Sequence, residues 1–406
     1  MQLLYRRVCA DVGLLLFLVT WRLWTPQTVF PQIPFFAALT EVPRYIDWLA
    51  ITAVVVSLFL AGLSTRELIW RRAMIAFAVA ATLLMLLNQH RFQPWAYQFV
   101  LFATIMANCR ATVATQLMRW IVVSIYVYSA ISKLDYQFLH SLGPQFLSTL
   151  AGYVGVASVE WPVNLQVWLA SLFPVGELIV GVGLLVPRTR RVAIFAAVGL
   201  HLLLLLILGP WGLSHQPGVL VWNLFFIAQA WMLFAERQAD EEPATNDPRR
   251  RVAERLCFLL TGIVIAFPAS ESLGYCDHWP AWELYSPRNS RVQVAIHASA
   301  VDRLPPEIQQ HLSLASEDSA WRQLHIDRWS LDSLSVPVYP EDRFQIGVAL
   351  ALADRYELAL AIHVTQQSAS DRWTGERGEL TFVGYEQLEA TRQNFRINVK
   401  ARRGSP

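Results

Sequence analysis

The chain has 406 residues, 54% of them hydrophobic and 16% charged, with a net charge of +2 and a mean hydropathy of +0.35. A soluble globular protein carries about 25% charged residues, so this composition excludes an ordinary water-soluble enzyme, a disordered chain and a nucleic-acid binder. The charges are unevenly spread, with 33 in residues 1–275 and 31 in the 131 residues of 276–406. The chain therefore reads as a membrane domain, 1–275, followed by a domain of ordinary polarity, 276–406.

A spanning helix needs about 20 mostly apolar residues. Nine stretches qualify: 8–24, 46–64, 72–88, 94–109, 113–132, 165–186, 191–209, 217–235 and 252–270. The fourth is short and carries Trp95 and Tyr97 at its start. The first follows Arg6 and Arg7 as a signal peptide would, but no small-residue cleavage pattern comes after it, and Trp21, Arg22 and Trp24 suit an interfacial anchor. With the N-terminus inside, fifteen arginines fall at inner loops and inner span ends, among them Arg66, Arg110, Arg188, Arg237 and Arg249. Only Arg22, Arg44, Arg91 and Lys133 fall outside. This positive-inside bias predicts a multi-pass cell-membrane protein with a cytoplasmic N-terminus and an extracytoplasmic C-terminal domain. Segment 239–251, acidic and then basic, reads as a cytoplasmic linker.

The C-terminal domain reads as β-rich. Residues 291–297 alternate polar and apolar, as does much of 343–364, and 379–385 and 395–399 are further short strands. A small sandwich or open sheet is expected, with no active site of its own. The fold class is thus a polytopic α-helical membrane protein of about nine spans with a small β-rich extracytoplasmic domain.

The four cysteines, Cys9, Cys109, Cys257 and Cys276, are far apart in sequence and form no CxxC pair. Cys276 lies across the bilayer from the others, so neither a disulfide relay nor a thiolate metal site is expected. His90, His140, His215 and His278 lie on the outer side, on four separate loops without metal-ligand spacing, and no metal is expected there.

Ionisable groups at membrane depth are costly and mark functional candidates. Lys133 ends span five in Ser132-Lys133-Leu134-Asp135, in a chain with 31 Arg and two Lys. Lysine can lose its proton where arginine cannot. To act as a base it must fall from about 10.4 to about 7–8, which a low-dielectric interface favours. Asp135 opposes this, but residues i and i+2 of a helix do not face each other. A snorkelling interfacial lysine is the alternative. Glu177 in span six and His201 in span seven lie on consecutive spans, where a carboxylate beside an imidazole would share a proton. Trp222 and Asn223 in span eight extend the set, either as a buried network or as a cofactor pocket.

Two resemblances follow from these residues. Tyr126–Phe146 (YVYSAISKLDYQFLHSLGPQF) resembles the K-L-D stretch of the vitamin K-dependent gamma-carboxylase family and its bacterial HTTM relatives, and Asn88-Gln89-His90 resembles their N-N-H segment. That likeness implies catalytic roles for Lys133 and His90 in a quinol-linked enzyme at the outer face, with carboxylation as one outcome. Spans five to eight, with Lys133, Glu177, the Arg-Thr-Arg-Arg turn and His201, equally resemble DoxX/MauE-type four-helix membrane proteins, which are linked to quinone and redox processes. This second likeness implies a non-catalytic quinone-binding or redox-accessory protein. A membrane scaffold whose outer domain binds a protein partner is a third reading. A pocket joining Lys133 to His90 would favour the first, and a pocket within spans five to eight the second.

Overall fold

The computed structural model describes residues 2–235, 247–315 and 319–404. Among the described residues, ten α-helices precede the last span: α1 (Gln2–Val19), α2 (Trp21–Trp24), α3 (Tyr45–Leu63), α4 (Glu67–Leu87), α5 (Pro94–Asn108), α6 (Ala111–Lys133), α7 (Gly143–Tyr153), α8 (Val163–Leu185), α9 (Arg190–Leu208) and α10 (Pro217–Phe234). The last span, α11 (Pro248–Ala266), continues as a tighter 3-10 segment over Phe267–Leu273. Prolines open α5, α10 and α11, where the missing N–H would have no helical partner in any case.

The long helices α1, α3–α6 and α8–α11 stand where the nine apolar stretches were expected. Seven of them, α3, α4, α6, α8, α9, α10 and α11, are long and apolar enough to cross a membrane. Helix α1 carries Arg6, Arg7 and Asp11, and α5 has only 15 residues. Both nonetheless pack within the same bundle, α1 against α3 and α5 against α4. Helix α5 is its centre, with Trp95, Phe99, Phe102 and Ile105 all buried. The outward faces are apolar instead of charged: Val192, Phe195, Leu202 and Leu206 of α9 and Val252, Leu256, Leu259 and Ile263 of α11 are exposed. A continuous apolar surface of this kind belongs in lipid. The chain is an integral, multi-pass membrane protein.

Arg6 pairs with Glu67 at 2.5 Å and Arg110 with Glu254 at 3.0 Å, which brings the starts of α1, α4, α6 and α11 to one end of the bundle. The C-terminal domain caps the other end. The expected linker and Arg237 fall largely outside the described residues, which resume at Asp247.

The C-terminal domain contains β1 (Arg291–His297), α12 (Pro306–Gln309), β2 (Trp321–Leu324), α13 (Ile326–Leu334), α14 (Asp342–Arg355), β3 (Ile362–Gln367), β4 (Glu379–Val383) and α15 (Gly384–Ala390). Its strands form one antiparallel sheet in the order β2-β1-β3-β4. Val294 of β1 stands opposite Leu324 of β2 and Val364 of β3, and Val292, Val294 and Ile296 bury one face against α14.

Two strand expectations are corrected. Residues 343–355 form α14, and only 362–367 of that stretch are a strand. The middle of α14, 346–353, is apolar, mostly buried and rich in alanine, a pattern whose periodicity cannot separate a buried helix from a strand. Residues 395–399 are not a strand but a tail returning to the membrane domain. The Asn398 N–H donates to the Phe35 carbonyl at 3.3 Å and the Arg402 N–H to that of Gln32 at 2.8 Å. The tail crosses α14 at Gly347, where a Cβ would lie 2.6 Å from the Val399 carbonyl oxygen. It ends in a fully buried cluster in which Asp47 pairs with Arg91 and, at 2.5 Å, with Arg402. Helix α7, between α6 and α8, has no counterpart among the sequence expectations.

Candidate functional site

Helices α6, α8, α9 and α10 line part of a cavity of about 510 Å³. Its walls are mostly apolar and aromatic, with Ile125, Phe146, Phe173, Leu204 and Phe226 among them. Trp95 and Thr20 close one side, and Tyr285 and the loop Ser335–Pro340 of the C-terminal domain form a roof. This size and lining, apolar with a few convergent polar groups, are those of a small-molecule pocket.

Two polar groupings reach into it. Lys133, at the end of α6, donates to Glu177 Oε2 of α8 at 2.8 Å and to the Ser129 carbonyl and Oγ at 3.0 and 2.5 Å. Ser129 and Tyr126 lie four and seven residues before Lys133, on the same face of α6. The second grouping links three helices. The Asn223 amide donates to the Val219 carbonyl at 2.9 Å, which turns its Oδ1 toward His201 Nδ1 at 2.9 Å. His201 Nδ1 therefore carries the proton, and bare Nε2 accepts from the Tyr126 hydroxyl at 2.7 Å. Trp222 is held in place by its Nε1–H donating to Gln98 Oε1 at 2.8 Å, and Gln98 in turn donates to Gln229 at 2.9 Å.

The close approach of α6 and α8 depends on Gly181. A Cβ there would stand 2.9 Å from that of Tyr126. Pro174, inside α8 and one turn before Glu177, removes a backbone donor from the ladder next to the ion pair.

Lys133, Glu177, His201, Trp222 and Asn223 thus line one cavity. Their partnering differs from the sequence expectation. Glu177 serves Lys133, and His201 is satisfied by Tyr126 and Asn223, so the expected proton sharing between Glu177 and His201 is replaced by two separate links. Asp135 does not face Lys133. Its Oδ1 accepts from the Phe138 N–H at 2.7 Å and caps the turn after α6.

His90 stands elsewhere. It is fully buried in the turn between α4 and α5, its Nε2 2.9 Å from the Pro337 carbonyl oxygen and 3.2 Å from Ser330 Oγ. Pro337 is on the cavity wall, and His90 lies behind it. Burial pushes its imidazole down to about 4, with Arg91 adding to the effect. The neighbouring Gln89 accepts from Arg343 at 3.1 Å and donates to the Asn398 carbonyl at 2.7 Å, so this turn joins the two domains.

Tyr126, Ser129, Gln98 and the roof were missed in sequence. The spacing of Tyr126 and Ser129 from Lys133 was the available signal for those two. Nothing local marks Gln98 or the roof, because their placement comes from tertiary packing. His215, between α9 and α10, is also on the wall, its pKa lowered by burial. The four cysteines are free, and Cys109 and Cys257 contact each other.

Fold and site together define a polytopic helical membrane protein with a roofed, ligand-sized cavity in a four-helix unit. Residues 111–217, from the start of α6 to the start of α10, match the family described as Methylamine utilisation protein MauE. The match covers roughly a quarter of the chain, includes Lys133, Glu177 and His201, and stops before Trp222 and Asn223. It falls on spans five to seven of the four that carry the DoxX/MauE likeness and ends where span eight begins, and no family match supports the gamma-carboxylase or HTTM likeness. No curated protein and no solved structure matches the chain.

Proposed function

We propose that the protein is a MauE/DoxX-type accessory protein that binds a lipophilic quinone in this cavity. Its support is the cavity of about 510 Å³ between these four helices, α5 and the roof, apolar in its walls and polar at Lys133–Glu177 and Tyr126–His201–Asn223. A quinone needs a slot for a flat ring, apolar surroundings for its tail and donors for its carbonyl oxygens. Phe146, Phe226 and Trp95 supply the first two, and the donors that can turn to it are the Lys133 ammonium and the Tyr126 hydroxyl, whose one proton then leaves His201 Nε2. His201 supplies a proton relay, because exchange of its tautomer moves a proton between its two nitrogens. In this reading all nine long helices span the membrane, the arginine-bearing end is cytoplasmic and the sheet domain is extracytoplasmic.

The test is purification in mild detergent followed by mass spectrometry of the co-extracted lipophiles. The wild type retains a quinone in near-stoichiometric amount, and Leu204→Trp, which fills the cavity, does not. Equal quinone content in both samples, or none in either, overturns the proposal.

A further inference from the structure

A second buried site lies just beyond the roof, where the last span meets the sheet domain. Glu271 sits in the 3-10 segment that continues α11, and His278 and Glu283 follow in the turns before β1. One ligand atom from each of the three lies within 4.8 Å of the others. His278 Nε2 is 3.4 Å from Glu271 Oε1 and 3.8 Å from Glu283 Oε2. The three side chains are each 8% exposed.

Two atoms in this arrangement ask for a ligand. His278 Nε2 and Glu283 Oε2 are buried and make no hydrogen bond, although buried polar atoms are rarely left so. The rest of the imidazole is fixed from behind. Glu341, at the N-cap position of α14, accepts through one oxygen from both the backbone N–H and Nδ1 of His278, each at 2.9 Å. That fixes one proton on Nδ1 and points Nε2 between the two carboxylates, where a cation would take the place of the second proton that the carboxylates favour. A carboxylate behind an imidazole is the usual outer support of a metal-bound histidine. Glu271 has its other oxygen on Arg288 at 2.6 Å, which leaves Oε1 facing inward.

We propose that Glu271, His278 and Glu283 bind one first-row divalent cation of the Zn2+ or Mn2+ type, with Glu341 orienting the histidine. One imidazole nitrogen and two carboxylate oxygens suit such ions better than Ca2+ or Mg2+, which take oxygen ligands alone. The ion ties the end of the last span to the base of the sheet domain. Trp279, Leu284 and Pro340, which flank these residues in sequence, line the cavity, so the same ion also holds the roof in place.

The test uses the full chain in detergent, stripped with a chelator and titrated with Zn2+ by calorimetry. About one equivalent binds at neutral pH, and Glu341→Gln weakens it by about 10–100-fold. Glu283→Gln, which keeps the shape of the side chain, weakens it further, and Cys276→Ser leaves it unchanged. X-ray absorption on the wild-type Zn2+ complex needs no variant and shows one imidazole with oxygen ligands. Failure to bind Zn2+ or Mn2+ overturns the proposal and leaves a cluster closed by a second proton on His278. Sulfur in the coordination shell, or an affinity indifferent to Glu283→Gln, also overturns it. Quinone content plays no part in these readouts, so this proposal stands or falls separately from the cavity's ligand.

Discussion

Removing the carboxylate of Glu177 is the perturbation whose cost can be worked most directly. Lys133 Nζ and Glu177 Oε2 are 2.8 Å apart, with side chains 8% and 15% exposed. At that distance and an effective dielectric of about 20, their gross attraction is about 6 kcal/mol. Desolvating two charges costs several kcal/mol each, so the pair as a whole contributes little net stability. Breaking it is different. Glu177→Gln leaves a buried ammonium with neutral acceptors, chiefly Ser129, but no counter-charge, and such one-sided removals cost about 3–5 kcal/mol. Lys133→Met alone strands the carboxylate at a comparable cost. The double variant Lys133→Met with Glu177→Gln removes both charges and recovers most of the lost stability. The assay is a double-mutant cycle from denaturation midpoints in detergent, paired with a quinone titration of the double variant. A coupling energy of about 2 kcal/mol or more is expected, together with quinone affinity lost from a folded protein. Additive single and double variants would refute the buried pair, and intact quinone affinity in the double variant would refute its role in the pocket.

Asp47→Asn leaves Arg91 and Arg402 buried without their carboxylate and lowers stability by about 3–5 kcal/mol. Chemical denaturation checks this, and a change under about 1 kcal/mol contradicts it. Gly181→Leu forces α8 away from Tyr126 and costs about 1–3 kcal/mol by overpacking. Tyr126→Phe, by contrast, keeps the packing and removes only the hydroxyl, so a quinone-affinity loss in both variants with a stability loss mainly in the first is the expected pattern. His90 gives a pH signature. Its folded value of about 4 lies below the reference 6.5, so the unfolded chain takes up a proton that the folded chain refuses. Stability is fully present above about 6.5 and falls as the pH drops toward 4, by about 3 kcal/mol in all. Denaturation midpoints of wild type and His90→Gln at several pH values test this, and parallel curves would contradict it.

The membrane domain was legible because apolar length and arginine placement are strong, local signals. Each long helix lies on an expected stretch, even the short α5, whose buried position in the bundle explains its modest length. Lys133, Glu177, His201, Trp222 and Asn223 were legible for the same reason, as polar residues where lipid would reject them. Their pairing was not. Which carboxylate meets Lys133 depends on the helix approach set at Gly181, a long-range contact with no sequence signature. His90 stood out by motif, and the structure shows a residue that knits the α4–α5 turn to the 330–337 segment. In the C-terminal domain, clear alternation at 291–297 identified β1, whereas the largely apolar, alanine-rich centre of 343–355 concealed α14. The tail at 395–399 looked like a strand because extended chain and strand share a local pattern and differ only in their partners.

The central claim is that the four-helix cavity holds a quinone. Titrating a short-tailed quinone into delipidated protein, with quenching of the cavity tryptophans as the readout, tests it most directly. Saturable binding of about one equivalent, weakened at least about tenfold by Leu204→Trp and by Tyr126→Phe, is the predicted result. Quenching that rises linearly without saturation, or that is identical in wild type and Leu204→Trp, would contradict it.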